Sequence, residues 1–367
     1  MAIFSSIVIF IVVLVVLILV HEWGHYIVAK LTGMRVDEFG IGFPPKVASY
    51  TKGETEYTLN ALPIGGFVRI YGEDPTALAD DDSDRARAFG ARPKWAQALV
   101  LIAGVVMNAL LAWVLLSAVL MIGAPTQVSE AEAGPEAELL VGSVVPGSPA
   151  DEVIPMGAKV LAVTNESSAL TSLTPIALSE FVREQGSTEL TITYELAGEK
   201  TTATVLPVTG LLESEPEMAA LGVQLLLVEE VSLPFFAAIG AGFSRAVELT
   251  GAIVVGVYTL ITGALTGGAD LSQVAGPIGI VSYVGDAAAV GVSALLFFTA
   301  VISLNLAVIN LLPIPALDGG RLIFVAIEAL TQKPIKAIWA ARLNMIGFAL
   351  LMLLMVIISV SDVTKML

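Results

Sequence analysis

The sequence predicts a polytopic α-helical membrane protein of four spans, with a membrane-associated β-hairpin on the cytosolic side and one extracytoplasmic α+β domain. Three observations carry that prediction. Of 367 residues, 56% are hydrophobic and only 14% charged, a composition that excludes a single soluble globule. Uncharged stretches recur at 1–20, 95–129, 249–269, 287–317 and 343–361, each long enough to be weighed as a span. Charge is segregated: residues 30–94 hold nine of the eighteen basic side chains, whereas 123–230 hold three beside seventeen acids.

The first span is expected over 1–30, since Met1–Val20 carries no charge and about 30 Å of helix crosses a bilayer. A cleaved leader is disfavoured by the missing basic n-region and small-x-small site. The 30–94 segment is flanked by Lys30 and Arg35 on one side and by Arg85, Arg87, Arg92 and Lys94 on the other. Basic residues near span ends mark the cytosolic face, so this loop lies inside, and both termini and the acidic segment lie outside. Within the 31–94 loop, residues 55–71 read as two short strands around a Pro63–Gly66 turn, and the acidic run at 80–87 reads as a solvated loop. A second span follows at 95–122. Residues 139–209 mix β-branched runs with one helical stretch, giving the compact external domain. A third span with its trailing motif is expected over 287–320 and a fourth over 337–361.

The net charge of −16 leaves no basic footprint and excludes nucleic acid as a partner. With no cysteine there is no disulfide framework, and any metal must be held by histidine or oxygen. Both histidines of the chain fall in one pentapeptide, HEWGH, at 21–25. On a helix, positions i and i+4 share a face, so His21 and His25 can reach one zinc ion while Glu22 stands beside a bound water as general base. A hydrolytic zinc site takes three protein ligands and keeps one position open. The third ligand must be a carboxylate: Asp318, the first acid after 31 uncharged residues, is the candidate, and Glu328 is the other acid able to serve. Parity supports Asp318, which meets the histidines only if 287–317 runs in the same sense as the first span. The region 232–286 is therefore expected to lie in the interface or re-enter. A membrane scaffold with structural zinc would need a fourth ligand, and the sequence offers none.

HEWGH, PIGGFVR at 63–69, Gly104-Val-Val-Met-Asn108, GPIGI at 276–280 and NLLPIPALDGG at 310–320 together resemble the site-2 protease family in its bacterial regulator-of-sigma-E branch. VVPGSPA at 144–150 resembles the start of a bacterial PDZ domain, although Gly157-Ala-Lys-Val lacks the acid that commonly follows that glycine. The resemblance implies regulated intramembrane proteolysis at the bacterial inner membrane with one zinc per chain. Its substrates would be single-span proteins such as anti-sigma factors or signal-peptide remnants, already shortened by an upstream site-1 protease. It also implies substrate contacts from Asn108 and Asn310. The hairpin residues Gly65, Gly66, Phe67 and Val68 could hold an unwound substrate as an added strand, and the external domain is expected to gate access without taking part in chemistry.

Overall fold

The computed structural model describes residues 2–366 apart from 74–83, 132, 152, 166, 187, 197, 212–217 and 267–274. The chain forms two compact units, one made of Met1–Val119 with Pro234–Leu367 and the other of Leu120–Leu233.

The first unit begins with α1 (Ala2–Leu31), apolar along nearly its whole length and ended by Gly33 at φ +75, where the Met34 N–H bonds the Ala29 carbonyl. A glycine in the left-handed region is the usual way to stop a helix and satisfy its last carbonyls. The other helices are α2 (Lys94–Ile122), α4 (Phe235–Thr266), α5 (Pro277–Val290), α6 (Val292–Leu311), α7 (Asp318–Thr331) and α8 (Ala337–Met366). Among the described residues, five helices are long and apolar enough to cross a membrane, against four expected spans. The additional one is α4, whose 32 continuous residues take in 249–266 of the expected 249–269 stretch, the rest lying outside the described residues; α5 is too short for that class. Gly276 and Gly279 at the start of α5 donate backbone bonds of 3.1 and 2.8 Å to the buried Asp362 carboxylate near the end of α8. Gly285 of α5 packs on Ser6 at the start of α1. Because α6 follows α5 directly and its far end, at Leu306 and Asn310, joins the histidines around one cavity, α6 runs in the same sense as α1.

Between α1 and α2, β1 (Val36–Lys52) and β2 (Thr55–Ile70) form a hairpin. The chain does reverse where a turn is expected, at Pro63–Gly66: Glu38–Ile41 pair with Glu56–Leu59 in the same sense and with Gly66–Arg69 in the opposite sense, so the two halves of β2 are antiparallel, although they flank β1 and do not pair with each other. A further turn lies at Gly53 and Glu54, beyond the last pair Lys52↔Thr55. Gly53 has φ +66, which suits a two-residue hairpin loop. The reversal falls between the pairs Leu62↔Phe43 and Gly66↔Ile41. The hairpin also folds on itself: Glu38–Ile41 pair with Glu56–Leu59 and also with Gly66–Arg69. This leaves Gly66–Ile70 as an outer strand.

In the second unit, β3 (Ala124–Gln127), β4 (Glu138–Val144), β5 (Lys159–Thr164), β6 (Leu190–Leu196), β7 (Glu199–Val205) and β8 (Val223–Val231) make a six-stranded sheet in the order β3-β8-β4-β5-β6-β7. Leu178, Phe181 and Val182 of α3 (Pro175–Gln185) pack on Leu139, Val141, Leu190 and Ile192 in its core. The domain is larger than the expected 139–209, because β8 pairs with both β3 and β4.

Candidate active site

The HEWGH residues lie in the last turns of α1, whose helical spacing turns both imidazoles toward α2 and the start of α7. His21 Nε2 is 3.0 Å from His25 Nε2 and 3.0 Å from Asp318 Oδ2, and His25 Nε2 is 3.3 Å from the same oxygen. A tetrahedral zinc with bonds of about 2.0–2.1 Å sets its ligands roughly 3.3 Å apart, so the three atoms fit one ion. The nitrogen chemistry fits too. His25 Nδ1 bonds the Val100 carbonyl at 2.8 Å; only a protonated Nδ1 can do this, and its Nε2 lone pair then faces inward. Among the described residues, these three form the only cluster of metal-ligating side chains. Glu328 is elsewhere, paired with Lys94 at 2.5 Å and accepting a bond from the Ile335 N–H.

A cavity of about 350 Å³ opens over this cluster, lined also by Glu22, Phe67, Val68, Asn108 and Asn310. Gly66 brings the outer strand against α1: a methyl group there would meet Ile18 Cγ2 at 3.2 Å and Glu22 Cγ at 3.6 Å. Gly65, in the reversal between the halves of β2, takes φ +116, a conformation that side chains resist. Asn108 is fully buried; its amide nitrogen lies 3.3 Å from His21 Nδ1, while Oδ1 has no partner.

Three contributors were given no role by the sequence, although Gly104 was noted as part of a motif. Gly104 clears the space for the imidazoles, since a methyl group on it would come within 2.5 Å of His25 Nε2 and 2.7 Å of His21 Nε2. Its spacing from Asn108, one helical turn, is the signal that could have found it. Val100 acts through its carbonyl alone, which no sequence pattern reports. Ser303 bonds the Asn108 carbonyl at 2.8 Å, a long-range pairing with no local signature.

The chain matches the profile of Peptidase family M50 over residues 9–354. It belongs to that family, the site-2 proteases. A candidate zinc metalloprotease of Clostridium perfringens is 37% identical over 349 residues, covering 95% of each chain. Zinc metalloprotease RasP of Oceanobacillus iheyensis is 29% identical over 443 residues, with 99% of each chain covered. The regulator of sigma-W protease RasP of Bacillus subtilis is 28% identical over 438 residues, again with 99% of each covered. As an M50 member, the protein is a membrane zinc metalloprotease. Both expectations, the family and the zinc, are borne out.

Proposed function

We propose that this peptidase hydrolyses peptide bonds of single-span membrane proteins within the bilayer, with His21, His25 and Asp318 as the zinc ligands and Glu22 as the general base. The convergence of two Nε2 atoms and one carboxylate oxygen beside Glu22 and an outer strand carries this reading. Zinc bound there supplies a Lewis acid that lowers the pKa of a water. Glu22 accepts the proton of the attacking water and returns it to the leaving nitrogen. The Val100 carbonyl fixes the His25 tautomer that leaves Nε2 free for the metal. Turning the Asn108 amide over would place its orphaned Oδ1 on a protonated His21 Nδ1 and do the same for that ring. Asn310, on the cavity wall, is placed to bond the substrate backbone.

A helical substrate hides its carbonyls in backbone bonds and must unwind before attack. The strand Gly66–Ile70 offers the unwound stretch a partner, as in other strand-addition complexes. Sidedness follows the basic residues: the HEWGH end of α1 faces the cytosol, both termini and the second unit lie outside, and α4 with α5 makes the return that parity requires. The substrates are membrane proteins such as anti-sigma factors or signal-peptide remnants, trimmed beforehand by a site-1 protease.

The test is to incubate purified protein with single-span peptides, with and without a zinc chelator. Cleavage inside the span that is lost on chelation and restored by zinc is expected. Cleavage by fully stripped protein, or only outside the span, would contradict the reading.

A further inference from the structure

Two cavities meet along the outer strand. Beyond the catalytic cavity lies a second, of about 950 Å³, that follows Phe67–Gly72 and is closed on its far side by α7 and α8 through Phe324, Ile338 and Ala340. Val68, Ile70, Glu73, Phe89 and Arg321 line both. At the junction Arg321, one turn after Asp318, pairs with Glu73 and lies 5.6 Å over the Phe89 ring. The other Glu73 oxygen accepts a bond of 3.4 Å from the Ile70 N–H, so Glu73 sits at the end of the outer strand.

The chemistry of the second cavity narrows its occupant. Its charged side chains are compensated within the protein: Arg321 with Glu73, Arg69 with Glu38, Glu328 with Lys94, and Asp37 with Arg35. Such a lining is mostly apolar, with its charges paired and no net demand for a charged ligand, and one wall is a strand with pairing capacity. It suits an extended peptide backbone.

Unwinding creates a need for that space. A helical residue rises 1.5 Å and an extended one about 3.3 Å, so an unwound stretch roughly doubles its length. The extra length carries exposed backbone polar groups, which lipid does not tolerate. The catalytic cavity is about a third the size of its neighbour and holds the residues at the scissile bond.

We propose that the second cavity is a subsite for the extended flank of the unwound substrate, entered across the Glu73–Arg321 pair. The inference rests on the proteolytic reading above and adds where the rest of the unwound chain goes. A photoreactive benzoylphenylalanine replacing Phe324, in full-length Glu22→Gln protein with a single-span peptide, should form adducts. Mass spectrometry should map them to residues flanking the scissile bond. The same probe at the adjacent Ile323, 39% exposed, serves as the control. Equal adduct at both positions, or none at 324, would overturn the subsite. Ala340→Trp, which fills the cavity away from the zinc ligands, should slow cleavage about tenfold with zinc content unchanged; full turnover in that variant would also overturn it. If the wild-type protein fails to cut the peptide, the proteolytic reading falls, while the adduct at 324 still reports on the cavity.

Discussion

The two sheets of the molecule are built to opposite rules. The six-stranded sheet keeps nearly unbroken register, with single irregularities in the β4–β8 and β5–β6 ladders, and buries one continuous apolar core. Its edge strand β7 is exposed at most positions and carries Glu199 and Lys200, the charges that discourage pairing with another chain. The β1–β2 hairpin breaks register repeatedly, places Gly42 and Gly65 at positive φ, and leaves Gly66–Ile70 on the outside beside Glu22. On the proposed function, the regular sheet needs only to be stable on its own, while the irregular one presents an edge to the substrate.

The largest expected effect lies under the irregular sheet, where α2 meets the histidines. Gly104→Ala places a methyl group against both imidazoles; bound zinc and cleavage should both fall to background, measured by metal analysis and peptide turnover. Retained zinc in that variant would show that α2 can give way there. The next effect tests the edge itself. Val68→Pro removes a strand N–H and should cut turnover by about tenfold or more, with zinc content unchanged. Undiminished turnover would make the hairpin merely structural.

A smaller effect is expected from the regular sheet. The ends of the second unit come together, since Ala124 pairs with Val231, so residues 125–230 can be replaced by a short linker. A bare single-span peptide should then be cut at the original rate, while a span carrying a folded external domain should be cut a few times faster. Equal rates for the bulky substrate would remove the gating role and leave a docking surface.

The smallest effect concerns the hairpin tip. Hydrogen bonds from Arg87 and Lys30 pull Glu54 from its ordinary 4.5 down to about 2. A depressed carboxylate stabilises the fold above its unfolded pKa and loses that contribution as pH falls through the folded one. Glu54→Gln should therefore lower stability by under about 1 kcal/mol, given the pair's exposure. The difference from wild type should shrink between pH 4.5 and 2. A difference independent of pH would assign the effect to something other than this charge.

What was legible in the sequence follows the same division. His21, Glu22 and His25 are local in sequence and sit on one helix face, so spacing alone brings them together. Asp318 was reachable by elimination, because the chain has no other nitrogen or sulfur ligand. The reversal at Pro63–Gly66 was legible because Pro and Gly mark it locally, whereas the interposition of Glu38–Ile41 between the two halves of β2 depends on long-range pairing. The second unit was drawn too short because β8 joins β4 from some eighty residues away, and pairing at that distance leaves no local mark. Gly104 acts by the absence of a side chain, hinted at only by its one-turn spacing from Asn108, and the Val100 carbonyl acts through backbone, to which sequence patterns are blind.

The most direct test of the central claim is to measure zinc and peptide cleavage on the same sample of Glu22→Gln protein. The proposed ligand set His21, His25 and Asp318 does not include Glu22, so the variant should bind one zinc per chain and cleave nothing. Cleavage at the wild-type rate would remove Glu22 as the base, and loss of zinc would place it among the ligands.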